Sequence, residues 1–191
     1  MDRARQICLN QLEFAPRTRS ELAATLRKKG VEDDVADQVL RRFHEVGMID
    51  DALFAQMWVG SRQRSKGLAS RALQQELRRK GVDDEAIAGA IATIEPDVEL
   101  ATARALVDRK LLSTRGLAPQ ARIRRLAGML ARKGYPAGTA FRVVREALGA
   151  EAQTAGPQTT GPQTTGPQTT GPQTTGEDLD ALFAEERALD E

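Results

Sequence analysis

Three features of this sequence predict an all-α fold built from tandem repeats. The segments Leu26-Arg27-Lys28-Lys29-Gly30-Val31, Leu77-Arg78-Arg79-Lys80-Gly81-Val82 and Leu130-Ala131-Arg132-Lys133-Gly134-Tyr135 are related, and their glycines stand 51 and 53 residues apart. Leucines recur four and eight positions before each glycine, at Leu22 and Leu26, Leu73 and Leu77, Leu126 and Leu130, which is the spacing of one buried helical face. Helix formers dominate, and no run rich in Val, Ile and Thr alternates with period two, so no sheet is expected. Cations before a glycine are a helix C-terminus, with positive charge at the negative end of the dipole and a residue that tolerates the left-handed conformation. A period of about fifty residues then means a helical array. The expected architecture is three tandem three-helix repeats, residues 1–47, 48–96 and 97–150, forming an elongated, curved, solenoid-like body. A disordered linker over 151–176 and an acidic tail over 177–191, able to form a short helix, follow it.

The elements are justified in order. Residues 2–14 carry Ala4, Ile7, Cys8 and Leu12 on one face and stop near Pro16. Thr18-Arg19-Ser20-Glu21 fits a capping box for a helix reaching Lys29. Asp33 or Asp34 can cap the third helix, with Val35, Val39, Phe43 and Val46 as its apolar face and Gly47 as its end. Asp50 caps a long fourth helix carrying Leu53, Phe54, Met57 and Trp58, broken at Ser65-Lys66-Gly67. The fifth spans about 68–80. The sixth spans about 84–94, with Ile87, Ala90, Ile91 and Ile94 inward, and Pro96 closes the second repeat. Asp97 begins the seventh, with Leu100, Ala103, Leu106 or Val107, and Leu111 on one face. Pro119 and Pro136 suit the first turns of the eighth and ninth helices. The eighth carries Ile123, Leu126, Ala127 and Leu130, and the ninth ends near Gly149. Gly-Pro-Gln-Thr-Thr then repeats four times from Gly156 to Thr175, with nothing apolar to bury.

The overall charge of +1 hides a division. Residues 1–150 hold 27 Lys+Arg against 19 Asp+Glu, whereas residues 151–191 hold 1 against 8. Within the body, residues 101–150 alone hold 11 basic and 2 acidic residues. A basic body with an acidic end implies a polyanionic partner, an acidic protein surface or internal pairing. Leu179, Leu182 and Phe183 form a small apolar stripe in the acidic end, which reads as a tethered competitor for the basic surface or as a solvated tail. No apolar run is long enough to span a membrane and no signal peptide is evident, so the expected compartment is the cytoplasm.

No catalytic, cofactor-binding or metal-binding constellation is present. His44 is the one histidine and reads as a surface or helix-edge residue; Cys8 is the one cysteine and reads as a small core residue. There is no phosphate-binding Gly-rich loop. Asp50-Asp51 and Glu32-Asp33-Asp34 stand where helices begin, and capping explains them better than a metal. Lone Trp58 and Tyr135 do not form a base-stacking platform. The informative residues are basic. Arg71, Arg78 and Arg79 lie away from the Leu73/Leu77 face of the fifth helix. Arg122, Arg125 and Arg132 make a stripe along the eighth, with Arg124 and Lys133 nearby and no acidic residue between 122 and 133 to balance it. A helix of that size is ~22 Å long and can follow several phosphates or an acidic protein groove; the bland alternative is a solvated face. Arg62, Arg64, Lys66 and Arg71 make a second candidate surface.

Met48-Ile49-Asp50-Asp51-Ala52-Leu53-Phe54-Ala55-Gln56-Met57-Trp58-Val59, then Ser61-Arg62, then Leu73-Gln74-Gln75-Glu76 running into Leu77–Val82, resembles the central signature of RecX proteins, bacterial regulators of the RecA recombinase. The resemblance spans roughly residues 3–149, and the tandem period agrees with the family's three-helix repeats. It implies a non-enzymatic protein that needs no cofactor and binds in the groove of the RecA filament on DNA. Such a protein limits filament growth and so restrains strand exchange, ATP hydrolysis and SOS coprotease activity. A monomer is expected, with single- or double-stranded DNA as a further direct partner. The Gly-Pro-Gln-Thr-Thr repeats and the acidic end fall outside the family pattern. The alternative is a helical repeat protein that binds DNA directly without RecA, although no recognition helix with base-reading residues in order is identifiable.

Overall fold

The three repeated glycines stop their helices by one shared geometry. The computed structural model describes residues 1–154, and Gly30, Gly81 and Gly134 have φ of 72°, 74° and 89°. Each donates its N–H to the carbonyl three residues back, Arg27, Arg78 or Ala131. The next residue, Val31, Val82 or Tyr135, donates to Leu26, Leu77 or Leu130. This is the Schellman arrangement, and Val31 and Val82 pack in the same cores as Leu26 and Leu77. The repeated leucines are fully buried, as the spacing requires.

Among the described residues there are nine α-helices and no strand: α1 Asp2–Phe14, α2 Arg19–Lys28, α3 Asp33–Glu45, α4 Asp51–Lys66, α5 Ser70–Arg79, α6 Asp84–Ala92, α7 Pro96–Leu111, α8 Pro119–Arg132 and α9 Ala137–Thr154. A 3-10 turn, Leu112–Thr114, follows α7. None of these helices is long and apolar enough to cross a membrane. The expected linker and acidic tail fall largely on residues 155–191, outside the described residues.

The chain divides into two units, Met1–Glu99 and the residues from Leu100 onward. The first unit holds two cores. Ala4, Cys8, Leu22, Leu26, Leu40 and Phe43 fill one, between α1, α2 and α3. Phe54, Ala55, Leu73, Leu77, Ile87 and Ala90 fill the other, between α4, α5 and α6. In the second unit α8 packs on α9, and Leu106, Val107, Leu126, Leu130, Val143 and Val144 are buried.

Local capping follows the sequence closely. Thr18 and Glu21 form the capping box of α2, and the Asp50 carboxylate accepts the Leu53 N–H at the start of α4. Gly67 ends α4 with φ 62°, and Pro119 opens α8.

Several expectations need correction. Glu32, not Asp33 or Asp34, occupies the position before α3, and it caps without its side chain. The buried face of α3 is Ala36, Val39, Leu40 and Phe43; Val46 is 52% exposed because the Gly47 turn carries it past the core. On α4 it is Phe54, Ala55 and Val59 that are buried, while Leu53 and Met57 face solvent. Helix α7 begins at Pro96, one residue before the expected Asp97. Helix α9 runs through Gly149 to Thr154, because a glycine without a left-handed turn costs a helix only about 1 kcal/mol.

The Gly81 stop also bears on the neighbouring repeat. A Cβ built on Gly81 would lie 2.2 Å from Ser20 Oγ and 2.3 Å from Ser20 Cβ, whereas one on Gly30 meets nothing within 4 Å. Gly30→Ala therefore carries only the left-handed cost of ~1–2 kcal/mol. Gly81→Ala adds overpacking of ~1–3 kcal/mol. Urea unfolding of the two variants should show this order, and adding Ser20→Gly should recover part of the Gly81→Ala loss alone. Equal losses at the two glycines would contradict the contact.

Candidate functional site

Two polar constellations are built around residues singled out from the sequence, and both use their charges internally. The first lies between the repeats of the Met1–Glu99 unit. Thr18, fully buried, accepts the Glu21 N–H at 3.1 Å and donates its hydroxyl to the Lys80 carbonyl at 2.7 Å. The N-terminus of α2 thus meets the C-terminus of α5, positive dipole end against negative. Lys80 Nζ donates to Glu21 Oε1 at 2.7 Å and lies over the Trp58 ring, 4.3 Å from its centroid. Arg62 also lies over that ring, at 4.1 Å, and pairs with Glu76 at 3.5 Å. Glu76 in turn accepts the Trp58 indole N–H at 2.9 Å. Phe54 stacks on Trp58 with centroids 5.6 Å apart. Cation–π contacts of partly buried groups contribute about 0.5–2 kcal/mol each; these lie within the second repeat and fix Lys80, whose bonds to Thr18 and Glu21 join it to the first.

Two carboxylates reinforce the unit. Asp51 Oδ1 accepts the Arg19 N–H at 2.9 Å; burial pushes its carboxyl above the ordinary value, against that hydrogen bond, which lowers it. Glu99 accepts both the N–H and the hydroxyl of Ser70, at 2.6 and 2.7 Å, and so caps α5, whose own N-cap residue is Ala69.

The second constellation is in the unit beyond Leu100. Arg122 donates to Glu151, and also to Thr114 Oγ1 at 3.2 Å and the Leu111 carbonyl at 3.4 Å. Arg115 donates to the other oxygen of Glu151 at 2.7 Å. Arg122 is only 16% exposed. One member of the stripe, Arg122, is therefore balanced by a residue outside the 122–133 interval that the extension of α9 delivers. The Arg115 and Arg122 hydrogen bonds hold the Glu151 carboxyl below its ordinary value.

The candidate arginines consequently sort into two groups. Arg62, Arg78 and Arg122 are engaged within the chain, Arg78 through Asp84 at 2.9 Å. Arg64, Arg71, Arg79, Arg124 and Arg125 are exposed and have no ion-pair partner among the described residues. Lys66, Arg132 and Lys133 each interact with other groups of the chain. Arg124 and Arg125 lie in one unit and Arg64, Arg71 and Arg79 in the other.

His44 is exposed, with Nδ1 3.2 Å from the Ile49 carbonyl oxygen. Cys8 is buried and its thiol is pushed up by desolvation, which disfavours the reactive thiolate. No group of three or more His, Cys, Asp or Glu residues able to hold a metal occurs among the described residues.

Family models for the first, second and third three-helix domains of RecX match residues 4–43, 50–91 and 97–144. The chain belongs to the RecX family. It is 54% identical over 149 residues to the regulatory protein RecX of Thermobifida fusca, covering 78% of this chain and 80% of that one. It is 53% identical over 153 residues to that of Streptomyces coelicolor, covering 80% and 81%. A RecX regulatory role follows from these relatives. The crystal structure of RecX from Lactobacillus salivarius has the same fold, with a TM-score of 0.70 at 17% identity over 76% of this chain and 94% of that one.

The Glu151 pair has a definite pH signature. Its carboxyl is depressed in the folded protein, so the stabilisation is full above the unfolded value near 4.5 and is lost as pH falls through the folded one. The stability gap between wild type and Glu151→Gln should be widest at neutral pH and should close below that range, as read from urea midpoints over a pH series. A gap independent of pH would contradict the pairing. At neutral pH Arg122→Glu should be clearly destabilised, whereas Arg125→Glu should stay within about 0.5 kcal/mol of wild type.

Proposed function

We propose that this protein binds the RecA–DNA filament and limits its extension, restraining recombination, ATP hydrolysis and SOS coprotease activity. Membership of the RecX family is the observation that carries the reading. It acts in the cytoplasm as a monomeric, non-enzymatic regulator. The exposed arginines Arg124 and Arg125 in one unit, and Arg64, Arg71 and Arg79 in the other, are its contacts to DNA phosphates or to acidic groups of the filament. A guanidinium on a helix face suits both, because it forms paired hydrogen bonds with phosphate and carboxylate alike. Such contacts position a protein on nucleic acid without reading sequence, as a filament regulator requires.

The same arginines favour a second reading, direct DNA binding without RecA. RecA-catalysed ATP hydrolysis on single-stranded DNA separates the two. Sub-stoichiometric protein should inhibit hydrolysis, because a blocked growing end affects many subunits. No inhibition at any ratio, with binding to bare DNA retained, would leave the second reading standing.

Arg124→Glu/Arg125→Glu should weaken binding to the filament or to DNA while leaving the fold intact. For single-stranded DNA, losing two phosphate contacts should reduce the slope of log K against log salt by about 1.4. Unchanged affinity and slope in the folded double variant would remove these residues from the interface.

A further inference from the structure

Glu151 stands where its own helix does not favour it. It lies in the last turn of α9, which carries no basic residue, and a carboxylate at that end meets the negative pole of the helix dipole. What holds it lies outside the helix. Arg115 Nε donates to Glu151 Oε1 at 2.7 Å, and Arg122 Nη2 donates to Oε2. Thr114 fixes the second guanidinium: its hydroxyl donates to the Leu111 carbonyl at 2.7 Å and accepts from Arg122 Nε at 3.2 Å. The Glu151 side chain is 12% exposed and that of Arg115 63% exposed, so the site opens to solvent at Arg115.

Two guanidiniums around one carboxylate leave a positive charge uncompensated. A phosphodiester carries the same single charge as Glu151 and offers a matching pair of acceptor oxygens, so it can take the place of Glu151 without changing the charge of the site. The exchange asks little of the fold, because a turn at a helix end opens more easily than the core. Helix α8 continues the site. Arg125 stands one turn beyond Arg122 with Arg124 beside it, both exposed and without an ion-pair partner among the described residues. No Asp or Glu occurs in α8. A ligand with successive phosphates matches such a row better than an isolated acidic side chain does.

We infer that Arg115 and Arg122 form a phosphate site that Glu151 occupies in the free protein, and that a phosphate of a single-stranded nucleic acid enters it by displacing this carboxylate. Glu151 is then an internal competitor, and it sets how tightly the unit beyond Leu100 holds nucleic acid. Arg122 serves the fold in the free protein and the ligand in the complex. The inference rests on the reading that Arg124 and Arg125 contact DNA phosphates, and it adds two arginines and a gate to that surface.

Fluorescence anisotropy of a labelled dT oligonucleotide tests it on the full chain, at a temperature where circular dichroism shows each variant folded. Glu151→Gln should bind about two- to fivefold more tightly than wild type, the worth of a partly exposed ion pair. Arg115→Gln in the Glu151→Gln background should remove part of that gain. Glu146→Gln makes the same charge change on α9 but releases only Arg104, and its gain should be clearly smaller. In the wild-type protein, saturating oligonucleotide should shift the side-chain Nε–H signals of Arg115 and Arg122 and move the Glu151 carboxyl signal toward that of a solvated glutamate. An unmoved Glu151 carboxyl signal, or a folded Glu151→Gln variant no tighter than wild type, would overturn the proposal. An equal gain from Glu146→Gln would overturn it in favour of general attraction. A gain on the RecA–DNA filament but none on the oligonucleotide would overturn it in favour of an acidic protein ligand. The reading beneath it fails separately: Arg124→Glu/Arg125→Glu then leaves oligonucleotide binding unchanged, whereas failure of the gate alone leaves that double variant weakened. No binding by any form would overturn both.

Discussion

The first two repeats depend on one junction, where the N-terminus of α2 is set against the C-terminus of α5. A helix end leaves backbone groups without intrahelical partners, and here two ends satisfy each other. The Thr18 hydroxyl closes the capping box of α2 and, with its remaining proton, bonds the Lys80 carbonyl of α5. The Lys80 side chain turns back to Glu21, the other member of that box. Gly81 has to be glycine twice over. Its φ of 74° suits no other residue well, and Ser20 occupies the space a side chain would need. The same junction explains the Phe54–Trp58–Arg62–Glu76 cluster, which supports Lys80 from the side of the second repeat. Residues that read separately as a cap, a helix stop and a lone tryptophan form one joint.

The basic character of the chain is likewise divided by partnership. Removing a half-buried arginine from its carboxylate leaves a charge without compensation, a larger loss than the pair itself contributes. Arg122 and Arg62 are held in this way and stabilise the fold. Exposed arginines without partners contribute little to stability, since even paired surface charges are worth under about 1 kcal/mol; their solvation can be exchanged for a phosphate or carboxylate of another molecule. Selection for binding would act on this second group, and substitutions meant to probe binding have to avoid the first.

The local level of the fold was legible in the sequence and the tertiary level only in part. Glycine stops, the Thr18–Glu21 box, the Asp50 cap and the repeated leucines all rest on interactions within a few residues, which spacing reveals. The face of α3 is ambiguous in its periodicity: Val46 continues an apolar pattern beyond what the core can cover, and Leu40 lies on the side that it does cover. The end of α9 is not legible from Gly149, which lacks the pair of cations that directly precedes the repeated glycines and lies inside the helix. Glu151 therefore went unseen as the partner of Arg122, a contact across 29 residues. Thr18 was visible as an acceptor; that its hydroxyl also donates to a residue 62 positions away was not.

If the junction governs the Met1–Glu99 unit, its two three-helix repeats open together. Native-state hydrogen exchange measures this directly through the amides of Val31 and Val82, equivalent positions in the two Schellman stops. Their opening free energies should coincide in the wild-type protein, and Thr18→Val should separate them by lowering the first repeat. A wild-type protein in which Val31 opens well below Val82, unaffected by Thr18→Val, would contradict the account.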